Sequence, residues 1–444
     1  MRRILVINCA ALSPACIADP SLTPNLSHLA SDGCALALRP SLPAVTCSVQ
    51  ATLLTGRAPS EHGIVANGFY LPDLAEVRFW EQPAQLVGAP LAWTRLPRRP
   101  RVAMLFWQNS LYADVDCMIT PKPMHTDSGL LADCYSRPAD LYGRLREALG
   151  EFPLHRYWGP MANVESSRWI AVATEHVWRE VRPDLCLTYL PHLDFNTQRL
   201  GPDPAALADD LRDLDALVGR LAEMACVDGA DVVVLSEYSL SPVSRPVALN
   251  RVLREAGLLA LRNLGGREYL DCGACRAFAM VDHQVAHVYL PAVAAAERET
   301  ITRRVAELLE ATDGVDEVLG REAQAERGIR HARSGDLVCI AEPDAWFSYT
   351  WWLDDAKAPD FARTVDIHRK PGYDPVELFT DAATRSIPLD TSLVRGSHGR
   401  AGPGDPTGVF IATAPEVADR LAACKALRAE EAAALILAEY GTGS

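Results

Sequence analysis

The side chains best suited to chemistry lie in four short, widely separated segments. The first is PAVTCSVQATLLTGRAPSEHGIVANGFY, from Pro43 to Tyr70. Pro43 disfavours helix in the residue before it, Cys47–Leu54 is compatible with helix, and Gly56 supplies a stop, so Thr46 is expected to cap a short helix. Its hydroxyl would sit beside unpaired N–H groups at the positive end of the helix dipole, where a phosphate binds readily and an alkoxide is less costly. That position suits a nucleophile as well as a plain cap. Asn67-Gly68, further on, reads locally as a hairpin dipeptide. The other segments are LDFNTQRLGP with Asp194, SEY with Glu237 and RGSHG with His398. On local pattern alone these two carboxylates and the imidazole are ordinary loop-capping and turn residues.

The intervening sequence indicates how residues so far apart could meet. Arg3–Asn8, Leu185–Leu190 and Asp231–Leu235 are apolar runs of the kind found in strands buried on both faces, and each ends next to a loop with reactive or polar side chains. A further strand is expected over Arg101–Trp107. Helices are expected over Thr23–Asp32, Ala139–Leu149, Ser167–Glu180 and Ala205–Ala225, with two more, alanine-rich, between Ala414 and Tyr440. This alternation predicts an α/β fold with a mainly parallel central sheet flanked by helices, and functional residues at the carboxyl ends of the strands. Residues 1–444 are expected to form a single domain. Within it, 246–345 forms an inserted α+β subdomain, a cap or lid, in which RAFAMVDHQVAHVYL reads as a strand, AERETITRRVAELLEA as a helix and VDEVL as a short strand. The irregular 71–123 region and the aromatic, charged stretch Phe347–Pro375 are expected to wall the site.

Composition narrows the class of protein. With 444 residues and 49% hydrophobic content the chain can bury a large core. Its 43 Lys and Arg against 57 Asp and Glu give a net charge of −14, and no basic stripe exists, which disfavours general nucleic-acid or anionic-membrane binding. No run of about 18 apolar residues provides a membrane span. MRRILVINCAALSPACIADP mimics a secretory signal, but Asn8 breaks the apolar run, and the segment reads as a strand and loop. Twelve scattered cysteines are expected as buried thiols, and the protein as cytoplasmic. Cys272-Gly-Ala-Cys275 has the spacing of half a zinc site without a second half.

The 43–70 segment closely resembles the nucleophile segment of the type I phosphodiesterase/nucleotide pyrophosphatase family, within the alkaline phosphatase superfamily, and the resemblance runs from Arg3 to about Gly399. It implies an alkaline phosphatase-like fold, Thr46 as the residue that attacks phosphorus, and Asn67 as a residue that holds the substrate phosphate. It also implies two divalent ions, usually zinc, flanking that phosphate. Asp194 and His398 match ligands on the water side, with Gln198 where an imidazole belongs; on the nucleophile side Thr46 matches, whereas Ala10, Glu237 and Tyr238 depart from the pattern. The resulting expectation is at most one divalent ion per chain, zinc being the candidate, held by Asp194, Glu237 and His398, with His368 as a possible additional imidazole. Arg369, Lys370 and Arg395 are expected to help neutralise phosphate. The implied function is metal-dependent hydrolysis of a phosphodiester or pyrophosphate bond in a small phosphorylated metabolite or nucleotide, through a phospho-threonine. The alternative is a catalytically impaired relative that binds a phosphorylated metabolite or partner without hydrolysing it. Transfer of the phosphoryl group to an acceptor other than water is a third possibility.

Overall fold

Ile4–Cys9, Leu185–Leu190 and Asp231–Leu235 are buried along their whole length and pair in parallel in the computed structural model, which describes residues 2–127 and 129–438. Val102–Leu105 and Cys117–Pro121 continue the parallel sheet on one side. Gly408–Ala412, Cys34–Arg39 and Ala426–Arg428 extend it on the other, and Cys134–Arg137 completes nine strands. The helices Pro24–Asp32, Val164–Val181 and Ala208–Val227 pack together in one layer, and Thr46–Thr55 packs with Ala429–Ile436 in another. The expected α/β fold with a parallel centre is therefore present. Because the five central strands run the same way, their carboxyl ends share one edge, where the loops after Cys9, Leu105, Pro121, Leu190 and Leu235 gather. Among the described residues no helix is long and apolar enough to cross a membrane.

Two local expectations need correction, and a third, the pair of closing helices, is met with a strand added between them. Cys117–Pro121 is a strand of the main sheet inside a stretch read as irregular; its apolar run is too short to stand out between polar neighbours. RAFAMVDHQVAHVYL is two antiparallel strands, Phe278–Asp282 and Val285–Tyr289, joined through His283-Gln284. The polar triplet Asp282-His283-Gln284 interrupts the apolar run because it forms the turn. At the far end of the chain the helices are Pro415–Leu421 and Ala429–Ile436 with the strand Ala426–Arg428 between them; Tyr440 lies outside the described residues.

That hairpin belongs to a second sheet, all antiparallel, in the order Phe278–Asp282, Val285–Tyr289, Leu337–Ala341, Val315–Leu319. It lies within 246–345. Side chains alternate across it as the strand period demands. Ala279, Val281, Ala286 and Val288 face a core shared with Trp351 and Trp352, while Phe278, Met280 and Tyr289 pack with Tyr70, Phe79 and Tyr373. Three polar contacts fasten this sheet to the site. The Asp282 carboxylate accepts from Asn67 N–H at 2.7 Å and Asn67 Nδ2 at 3.0 Å, the His287 ring bonds Val65 O at 3.0 Å, and Gln284 N–H donates to His398 O at 2.8 Å.

Removing the Asp282 carboxylate would leave two buried donors of Asn67 unpaired, each costing about 1–3 kcal/mol. Asp282→Ala is expected to lower the urea unfolding midpoint by the equivalent of about 2–4 kcal/mol. A midpoint equal to that of the parent would show that this junction does not hold the sheets together.

Candidate active site

Thr46 is the first residue of its helix and not the cap. Val45 takes the cap position, and the Cys47 N–H is satisfied by Asn67 Oδ1 at 2.9 Å. With that orphan donor already paired, the Thr46 hydroxyl is free to turn outward, and it meets the Tyr238 hydroxyl at 3.1 Å. Asn67 is engaged on both sides of its amide, by Cys47 and by Asp282, and does not line the cavity next to Thr46. It holds the start of the Thr46 helix against the second sheet.

Asp194 lies in the first turn of the helix His192–Leu200, directly after the strand Leu185–Leu190. Gln198 follows one turn later on the same face and donates through Nε2 to Asp194 Oδ2 at 2.5 Å, while its Oε1 accepts from the Tyr373 hydroxyl at 2.9 Å. His398 sits in the Gly396–Gly399 turn, its Nδ1 bonded to Ala44 O at 2.7 Å. Both glycines are required there. A Cβ on Gly396 would fall 2.2 Å from Thr197 O on the Asp194 helix, and Gly399 has φ +126 with Gln284 N 3.0 Å from where its Cβ would be. Glu237 is buried behind the cavity wall, with Gln50 Nε2 3.3 Å from its Oε1.

Four rings cross the centre of the site as one stack. Ring centroids are 3.7 Å apart for Tyr238 and His398, 3.6 Å for His398 and His283, and 3.7 Å for His283 and Tyr373. His283 enters it with a positive φ of 59°, a conformation uncommon outside glycine and enriched at functional sites. The cavity beside the stack has a volume of about 190 Å³. Trp80, Tyr157, Trp158 and Tyr189 line it together with Thr46, Asp194, His368 and the four stacked rings. Among the described residues no Arg or Lys lines it. The cations expected there are engaged elsewhere: Arg369 with Asp360 and Asp366, the buried Lys370 with Asp374 and Glu377 at 2.7 Å each, and Arg395 with Ser392 O.

Burial dominates the electrostatics. It raises Asp194 to about 7 against the lowering contacts of Gln198 and Tyr238, and Glu237 to about 7 against those of its own backbone N–H and Gln50. It holds Tyr238 well above the usual phenol range, with the Asp194 and Glu237 carboxylates adding to the shift. It lowers His398 to about 3 and keeps His283 neutral. Among the described residues Asp194 Oδ1, Glu237 Oε2 and His283 Nδ1 are buried without a hydrogen-bond partner. Asp194 and His283 contribute to the cavity lining.

The expected three-ligand centre does not assemble. Asp194 and His398 share the cavity wall but Glu237 turns to Gln50, and among the described residues no three His, Cys, Asp or Glu side chains are placed to hold an ion. His368 reaches the cavity wall without completing such a set. Cys272 and Cys275 likewise find no further ligand; the Cys275 thiol bonds to backbone at Ala260 and Asp271. Sequence reasoning missed His283 and Tyr373 as members of the site. The signal for His283 was the polar triplet inside an apolar run, since a turn within a buried hairpin has to point at something.

Comparison with known proteins gives a consistent result. The profile of the family described as Type I phosphodiesterase / nucleotide pyrophosphatase matches residues 4–374. An uncharacterized pyrophosphatase/phosphodiesterase of Schizosaccharomyces pombe is 24% identical over 268 residues, which are 59% of this chain and 49% of that protein, so the chain spans about half the length of this curated relative. Phosphonoacetate hydrolase from Sinorhizobium meliloti, solved with phosphonoacetate, superposes with a TM-score of 0.62 at 18% identity, covering 99% of this chain and 96% of that one. Murine ectonucleotide pyrophosphatase / phosphodiesterase 5, solved as an inactive variant with AMP, superposes with a TM-score of 0.60 at 15% identity, covering 99% and 95%. These structures share the alkaline phosphatase-like fold with this chain.

The Glu237 environment has a measurable consequence. Its pKa is raised from 4.5 to about 7, so the folded state favours the protonated acid. That contribution to stability is complete below the unfolded pKa and is lost as pH rises through about 7. Glu237→Gln copies the protonated form. In chelator-treated protein it is expected to be more stable than the parent at about pH 8.5, by no more than about 3 kcal/mol, and equal to it near pH 4.5. A variant destabilised equally at both pH values would show that Glu237 is held as a carboxylate.

Proposed function

Because this chain belongs to the type I phosphodiesterase / nucleotide pyrophosphatase family, we propose that it hydrolyses phosphoester bonds, with Thr46 as the nucleophile and a phosphodiester or pyrophosphate of a small metabolite or nucleotide as the substrate. The observation that carries this reading is the Thr46 hydroxyl itself. It stands on the cavity wall in the first turn of a ten-residue helix and is held at 3.1 Å by a phenol rather than turned inward as a cap. The AMP and phosphonoacetate bound by the two structural relatives are small phosphorus-bearing ligands, in keeping with a cavity of this size.

In this reading Thr46 Oγ forms a bond to phosphorus as the bond to the leaving oxygen breaks. The hydroxyl proton passes to Tyr238 Oη, whose own proton moves to the Asp194 carboxylate, and the leaving oxygen takes its proton from water as it departs. Water then attacks the phospho-threonine and restores the hydroxyl. His283 Nδ1 faces the phosphoryl group as a donor in the tautomer that carries its proton there, Asp194 Oδ1 can donate to it once the relay has protonated that carboxylate, and the aromatic walls take the apolar part of the substrate. Asn67 acts as a positioning residue, fixing the first turn of the nucleophile helix. Residues 246–345 form the cap subdomain, with the His283-Gln284 turn as its contribution to the site.

Thr46→Ala is expected to abolish turnover of an aryl phosphodiester while lowering the melting temperature by only a few degrees, since no capping bond is lost and the Tyr238 hydroxyl, deprived of Thr46, keeps the Asp194 carboxylate as a partner. Thr46→Ser is expected to keep part of the rate. Full turnover in Thr46→Ala would eliminate Thr46 as the nucleophile.

A further inference from the structure

The four positions that depart from the family's ligand pattern, Ala10, Gln198, Glu237 and Tyr238, each have a definite occupation in the fold. Ala10 is fully buried and offers no donor. The Gln198 amide N–H is directed at Asp194 Oδ2 at 2.5 Å, so a cation approaching that oxygen would meet an N–H dipole already in place. The same glutamine is locked by Tyr373. Glu237 points to Gln50, outside the cavity wall. Tyr238 brings a neutral phenol, a poor ligand for a divalent ion, to 3.1 Å from the Thr46 oxygen. His398 donates Nδ1–H to Ala44 O and is stacked on both ring faces, by Tyr238 and by His283, which leaves it only the in-plane Nε2 edge.

What remains at the cavity wall is Asp194 Oδ1, His283 Nδ1 and the Nε2 edge of His398, and among the described residues no three such side chains are placed to hold one ion, where a catalytic ion keeps three protein ligands. We infer that this chain holds no divalent ion of its own, and that the stack Tyr238–His398–His283–Tyr373 occupies the centre of the site in its place, with Tyr238 holding the Thr46 hydroxyl. The last clause rests on the hydrolase reading above; the first does not. The cavity wall also limits substrate charge. With no Arg or Lys among the described residues of the wall and no ion to supply positive charge, burying several phosphate charges would go uncompensated, so the site takes a singly charged phosphodiester in preference to a pyrophosphate.

The test is the ion content of the full-length protein after dialysis against zinc and, separately, manganese, followed by desalting and elemental analysis. The expected result is well below one ion per chain, with no rise in melting temperature on adding either metal. Close to one ion per chain, lost in Asp194→Ala, would overturn the inference whether or not the protein turns anything over. Turnover of a singly charged aryl phosphodiester is expected to be unaffected by chelator and to exceed, in kcat/KM, that of a nucleoside pyrophosphate. Activity that appears only on adding zinc or manganese, or a preference for the pyrophosphate, would also overturn it. An ion-free protein with no turnover under any condition upholds the ion-free site and defeats the hydrolase reading instead. The combined variant Ala10→Asp, Gln198→His, Glu237→Asp and Tyr238→His is expected to gain zinc. If it is folded by circular dichroism and still binds none, the loss does not reside in these four side chains, and that part of the inference falls.

Discussion

Four rings at van der Waals spacing hold the active centre together. Tyr238 comes from the loop after a central strand, His398 from a glycine-bounded turn, His283 from the hairpin of the second sheet, and Tyr373 from the long segment that follows it. No two belong to the same local element. Each contact of this kind is worth about 0.5–1.5 kcal/mol beyond the area it buries. Their larger effect is geometric, because the neighbouring polar groups are tied to the rings directly or through one intermediate. Tyr238 sets the Thr46 hydroxyl, Tyr373 sets Gln198, Gln198 sets Asp194, and Ala44 O and the neighbouring glycines set His398.

The same arrangement explains why the site is so little charged. A chain of net charge −14 has a cavity with no lysine or arginine among its described lining residues, with the Asp194 carboxyl on its wall and the Glu237 carboxyl behind it both raised to about 7, and with His283 and His398 kept neutral by burial. In a low-dielectric cavity fixed dipoles carry more weight than they would in water. The helix end at Thr46 and the hydroxyls of Tyr238 and Tyr373 are dipoles of that kind.

Much of this was legible in the sequence because it depends on short-range pattern. The apolar runs LCLTYL and DVVVL could only be buried strands, and the loops at their ends brought Asp194 and Tyr238 to one edge. GSHG announced a tight turn, and its glycines are needed for close approach of Thr197 and Gln284. What could not be read depends on partners distant in the chain. Thr46 looked like a cap until Asn67 supplied the bond to Cys47. Lys370 and Arg369 looked available for phosphate until their carboxylate partners were known. Glu237 had the reach for a ligand and was drawn away by Gln50. His283 was hidden in what read as a single strand, since the turn it forms exists only once two halves of that run pair with each other.

The central claim is that Thr46 is a nucleophile positioned by Tyr238 without the help of a divalent ion. It is tested most directly by quenching chelator-treated protein during turnover of an aryl phosphodiester and mapping the phosphorylated peptide by mass spectrometry. The expected result is a phosphoryl adduct on Thr46, formed in the absence of added metal and missing from Tyr373-containing or other cavity peptides. An adduct that forms at Thr46 only after zinc or manganese is supplied, or turnover that proceeds with Thr46 unmodified at every time point, would contradict it.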